Sequence, residues 1–160
     1  CPITNADINQ RVFMLTDEMI RTIEITDLFP FATASWESLP NVVLVKYLGV
    51  IDRERLWITD NFLSKSLQNL DENPFAAVYV ITPDYTSCWQ IRGKTCIHQE
   101  GEMFEAMRKR VHHINPNLPA RSLVILSIEE IYECLPGHAA GQLISKRANS
   151  TDTSGNCFEH

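Results

Sequence analysis

From residue 87 to 98 the chain alternates strictly. Trp89, Ile91, Gly93, Thr95 and Ile97 fall on one side, and Cys88, Gln90, Arg92, Lys94 and Cys96 on the other. A period of two is that of a strand with one apolar face. Residues 31–35, 41–51, 56–59, 75–82 and 123–131 also read as strands, from runs of apolar and β-branched side chains. The longest, 41–51, is almost wholly apolar except for Lys46. Three stretches carry helical spacing instead. Thr16 caps the first, with Asp17 and Glu18 in its first turn, Met19, Ile20 and Ile23 as its apolar face, and Phe29-Pro30 as its end. In the second, Asp60 and Asn61 supply the turn and N-cap, Leu63, Leu67 and Leu70 fall at i, i+4 and i+7, and Asn73-Pro74 stops it. The third spans 102–114, with Met103, Phe104, Met107, Val111 and Ile114 on one side.

Most of these strands are joined by tight turns, at 37–40, 52–55 and 83–84, and few by helical crossovers. That pattern predicts a mainly antiparallel small barrel with helices outside it, an α+β or β-barrel class. Residues 1–146 are expected to form a single domain with an N-terminal arm, and 147–160 a flexible polar tail. There is no internal repeat, GxGxxG or P-loop, so dinucleotide-binding and NTPase folds lack support.

The chain has 160 residues, 44% of them hydrophobic, and a net charge of −6. That acidity argues against nucleic-acid binding through a broad basic surface. No apolar run approaches about 18 residues, so no membrane span is expected, and the first fifteen residues lack the basic-then-apolar order of a signal peptide. Five cysteines without CxxC spacing fit reduced thiols and a cytoplasmic protein rather than a disulfide framework or a zinc site.

Lys65 is the residue out of place. A cation in the first turn of a helix opposes the macrodipole, unless an anion sits there. A helix N-terminus offers N–H groups to phosphate, and Ser64 and Ser66 would add hydroxyls. The plainer reading is a solvated lysine between two capping serines. Lys46 poses a similar choice, because a lysine within an apolar strand is costly unless paired or at an edge. His112 and His113 are adjacent on a helix and point about 100° apart, so a shared metal is not expected. His138, in a Gly-rich segment, is a candidate proton donor. Trp89 reads as core or interface, and Met103 and Met107 as packing on a helix face, not ligands.

Taken in order, Phe31-Ala-Thr-Ala-Ser35, Pro40-Asn-Val-Val-Leu-Val45, the stretch from Asp60 to Pro74, and Gln90-Ile-Arg-Gly-Lys94 resemble the pyridoxamine 5′-phosphate oxidase-like FMN-binding proteins. The resemblance implies a six-stranded antiparallel split β-barrel with flanking helices, a homodimer, and FMN bound at the dimer interface. By position, Lys65 and Ser66 match the pair that holds the FMN phosphate. Thr59, Asp60 and Asn61 match the strand end beside the ring and ribityl chain. Leu44, Val45 and Lys46 match the strand bordering the ring, and Gln90 a position that reaches the cofactor from a neighbouring strand or subunit. The ending from Lys146 lacks the basic segment of the oxidase that names the family, which puts oxidation of pyridoxamine phosphate in doubt. The resemblance implies an FMN-dependent oxidoreductase with a small-molecule donor, such as a reduced nicotinamide nucleotide, and a small-molecule acceptor. No catalytic residue is assigned. A non-enzymatic FMN-binding electron carrier, and a split barrel holding a deazaflavin or haem, remain as alternatives.

Overall fold

The computed structural model describes residues 14–148. The expected arm, apart from Met14, and nearly all of the expected tail lie outside them. Eight strands and three helices follow in the order α1 (Asp17–Ile25), β1 (Phe29–Ala34), β2 (Pro40–Val45), β3 (Leu48–Asp52), β4 (Arg55–Asp60), α2 (Ser64–Glu72), β5 (Phe75–Ile81), β6 (Cys88–His98), α3 (Glu102–Ile114), β7 (Ser122–Glu133) and β8 (Leu143–Lys146). They form one antiparallel sheet in the order β2-β1-β5-β6-β7-β4-β3, with β8 added to β7. The sheet curls into the half-barrel of a split-barrel fold.

The expected single strand over 41–51 is two strands. The chain bends at Lys46-Tyr47, and β2 and β3 end on opposite edges of the sheet with no ladder between them. Lys46 is exposed at the bend, which keeps its ammonium in water, while the Tyr47 carbonyl accepts the Thr59 N–H at 3.0 Å and starts the β3–β4 pairing. The strand count therefore exceeds the six expected by this break and by β8. β8 carries only Leu143 and Ile144 as apolar residues, too few to stand out, and exists through its pairing with residues 130–132. Phe29-Pro30 also differs. It opens β1 instead of ending α1, whose C-cap Thr26 folds its hydroxyl back onto the Thr22 carbonyl at 2.6 Å.

The sheet buries two faces. Phe29, Phe31, Leu56, Ile58, Val78, Ile91, Leu126 and Ile131 pack inside the curl with residues from α1 and α2. On the other side of β4 and β7, α3 lays Phe104, Met107 and Val111 on Leu123 and Ile125, with Trp57 at the edge. β7 thus sends alternate residues into two cores, which is why residues 123–126 read as a continuous apolar run rather than an alternating one. At Gly93, where β6 shifts register against β7, an added Cβ would stand 1.9 Å from the Ser127 carbonyl oxygen. Gly93→Ala must push two central strands apart. It should lower the unfolding free energy by at least about 2 kcal/mol, read by urea denaturation. An unchanged midpoint would contradict the close approach.

Candidate functional site

The start of α2 is set by a buried carboxylate. Asp60 ends β4 fully buried. Its Oδ1 accepts the Leu63 N–H at 2.9 Å and faces the Arg121 guanidinium at 3.5 Å, and its Oδ2 accepts the Ser122 hydroxyl at 3.4 Å. Asn61 Oδ1 accepts the Ala120 N–H at 3.0 Å, holding Ala120 at a φ of 41°. Asp60 and Asn61, read from the sequence as neighbours of a ring and its side chain, thus use these side-chain oxygens within the protein. They join the end of β4 to the start of β7. The Thr59 hydroxyl is buried and has no hydrogen-bond partner among the described residues.

About one turn of sequence later the polar groups are of the opposite kind. Lys65 is exposed and Ser66 is 1% exposed. Ser66 Oγ accepts from Asn41 Nδ2 at 3.0 Å, Asn41 also reaches Thr33 Oγ1 at 3.3 Å, and Asn69 Nδ2 donates to the same Thr33 oxygen at 3.0 Å. α2 has Leu63 at its N-cap position, with no side-chain cap, and no acidic residue in its first turn. α1 differs on both counts: Thr16 accepts the Met19 N–H, and Asp17 and Glu18 fill the first turn. α3 places Glu102 and Glu105 in the same position. Among the described residues, the first turn of α2 alone combines a cation, a hydroxyl held by an amide, and N–H groups without a side-chain acceptor, the donor set of an anion site. Asn41 was not among the expected site residues. Its one signal is a polar residue opening an apolar strand.

The other expected residues lie along the sheet. Register aligns Val42, Ala32, Ala77, Arg92 and Glu130 in one row across β2, β1, β5, β6 and β7. This row belongs to the outward face of the curl, and Leu44 and Gln90 lie on that face, two residues along their strands. Leu44 is 63% exposed, and Gln90 is half-buried between its cross-strand neighbours Tyr79 and Tyr132. Val45 points the other way, into the core. On the same face the Arg92 guanidinium is paired with Glu130, reaches Tyr132 Oη at 3.0 Å, and lies 5.1 Å from the Tyr132 ring centroid. Tyr132 in turn donates to Glu130 at 2.8 Å.

The histidines do not cluster. His112 Nε2 lies 2.8 Å from the Leu118 carbonyl oxygen, His138 is exposed, and no group of three potential metal ligands forms among the described residues. Cys88 and Cys134 are free thiols, whereas Cys96 is disulfide-bonded, so the expectation of five reduced cysteines does not hold at that position. Among the described residues no helix is long and apolar enough to cross a membrane.

The model of the pyridoxamine 5′-phosphate oxidase family matches residues 15–135. An uncharacterized protein of Methanocaldococcus jannaschii, MJ0282, is 33% identical over 141 residues, covering 84% of this chain and 91% of its own length. Among solved structures, HupZ of Group A Streptococcus superposes with a TM-score of 0.70 at 22% identity, over 80% of this chain and all of its own. An FMN-binding protein of Syntrophomonas wolfei does so with a TM-score of 0.60 at 20% identity, over 72% of this chain and 86% of its own. An F420 reductase and the heme storage protein HutZ of Vibrio cholerae share the fold, each with a TM-score of 0.59. These likenesses establish the fold alone and show one scaffold among proteins described by different cofactors.

The Arg92–Glu130 pair carries a pH signature. The hydrogen bond from Arg92, then that from Tyr132, hold the Glu130 carboxyl below its ordinary value of 4.5. A depressed carboxylate contributes stability that is present above its unfolded pKa and lost as pH falls through the folded one. Glu130→Gln should therefore flatten the loss of stability below about pH 4.5 while changing little at pH 7. An unaltered acid limb in denaturant titrations would contradict the pairing.

Proposed function

The chain belongs to the pyridoxamine 5′-phosphate oxidase family, and we propose that it is a flavoprotein holding FMN, with the phosphate at the N-terminus of α2, and that it acts as an FMN-dependent oxidoreductase. The observation that carries this reading is the first turn of α2, without a side-chain cap or a carboxylate and bearing Lys65. The residues present fit a phosphate monoester. Ser66 Oγ accepts from Asn41, which leaves the hydroxyl proton for a phosphate oxygen. Asn69 and Asn41 together hold Thr33 beneath it. The Lys65 ammonium supplies the charge, and no acidic side chain in that turn opposes it.

FMN bound there would supply hydride and electron-pair transfer, chemistry that needs no side-chain nucleophile or base dyad. The protein's part is to bind and orient. β2 runs from Asn41 toward Leu44, three residues or about 10 Å, so one strand leads from the phosphate donors to the outward face. Leu44 there offers an apolar surface and Gln90 an amide. Lys46, exposed at the bend after β2, would favour negative charge on a reduced ring placed beside it. The electron donor proposed is a reduced nicotinamide nucleotide, and the acceptor a small molecule.

The outward face also supports a homodimer as the working form. Val42, Leu44 and Phe75 are 66%, 63% and 52% exposed. They surround the small side chains of Ala32 and Ala77, neighbours across β1 and β5. A flat apolar patch of this kind fits a second copy of the same patch.

Lys65→Ala should weaken FMN binding at least about tenfold, since it removes a charge-assisted contact, as measured by quenching of flavin fluorescence. Unchanged affinity would sink the phosphate assignment. Light scattering should give a dimer for the native chain and a monomer for Ala77→Arg. A native monomer would contradict the shared face.

A further inference from the structure

We propose that Cys88 and Cys134 form a reversible dithiol–disulfide site that exchanges two electrons with small disulfides. The inference does not rest on the flavin reading.

The two residues meet at one end of the β6–β7 pairing, where β6 starts and β7 has just ended. The β6–β7 register sets Trp89 against Glu133, and one step further it sets Cys88 against Cys134. The Cys134 N–H donates to the Cys88 carbonyl at 2.9 Å, so the pairing extends to this step. Directly opposed residues of an antiparallel ladder present their side chains on one face. Directly opposed residues of an antiparallel pair have Cα atoms about 4.5–5.5 Å apart, and disulfides bridge Cα separations of roughly 4.4–6.8 Å. Both thiols are free. β7 ends at Glu133, and Cys134 opens the loop that continues through Pro136 and Gly137. Its backbone therefore has room for the small adjustment that closure needs.

The two thiols are not equivalent. Cys134 is half-exposed and Cys88 is 6% exposed. Burial first, then Cys134 and Glu133, push the Cys88 thiol up to about 11. Tyr79 closes the cluster: burial, followed by Cys134 and Cys88, raises its phenol above the ordinary value. This asymmetry assigns the steps. Cys134, as thiolate, attacks one sulfur of a small disulfide. The S–S bond of the reagent breaks, a mixed disulfide forms at Cys134, and the first small thiol leaves with a proton. Cys88 then loses its proton and attacks the Cys134 sulfur, expelling the second small thiol. In sum two protein thiols are oxidised to one disulfide, and one small disulfide is reduced to two thiols. Because Cys88 is held protonated, the second step should quicken as pH rises from 7 to 9. The closed bond would tie β6 to the root of the β7–β8 loop, two residues from Gln90.

The test is incubation of the full chain with oxidised glutathione, followed by alkylation and peptide mapping. The native protein should lose alkylation at Cys88 and Cys134 together, yield a peptide cross-linked between them, and recover both thiols in dithiothreitol. Cys88→Ser should stop at a lasting glutathione adduct on Cys134, and Cys134→Ser should leave Cys88 unmodified over the same time. Closure should also raise the Tm of the native chain but not of either variant. A native chain that keeps both thiols alkylatable, or keeps the glutathione adduct on Cys134, would overturn the proposal.

Discussion

The buried carboxylate of Asp60 is the constraint on which the site depends. It lies where β4 ends, fully buried, and a buried polar group is costly unless it is hydrogen-bonded. Its partners come from three places: the Leu63 N–H ahead of α2, the Ser122 hydroxyl at the start of β7, and Arg121. The result is a fixed launch point for α2. The helix starts at one place and angle, and Ser66 meets Asn41 at the head of β2. A helix capped in the ordinary way, by a serine or aspartate one residue before it, would use its free N–H groups internally. Here the cap is displaced to the preceding turn, and the first turn stays open.

The division of the sheet into faces follows from the same economy. The inner face and the α3 face of β4 and β7 consume the large aliphatic side chains. The row from Val42 through Ala32 and Ala77 is left with small and exposed residues, continued by charged ones at Arg92 and Glu130. One face thus changes from apolar to ionic across its width. Its apolar side is the one proposed to meet a second copy, and its paired ionic side stays compatible with water.

What could be read in advance was whatever the local period determines. β6 and its two faces, the bounds of α3, and the cation and hydroxyl of Lys65 and Ser66 were all visible in short windows. The bend at Lys46-Tyr47 was not, because an apolar run looks the same whether it stays in one strand or crosses between two edges. β8 depends on an existing edge of β7. The Asn41–Ser66 contact and the network around Asp60 were not legible, for one reason. A polar residue in a strand gives no sign, by itself, of whether it faces a ligand or an N–H group some 60 positions away, as Asn61 does with Ala120.

Phosphate recognition at α2 is the claim from which the cofactor, the site and the activity all follow. Its most direct measurement is a pair of equilibrium titrations of the native chain, one with FMN and one with riboflavin, which differ by that phosphate alone. FMN should bind at least about tenfold more tightly, the loss expected for one charge-assisted contact. Equal affinities, or binding of neither, would contradict it.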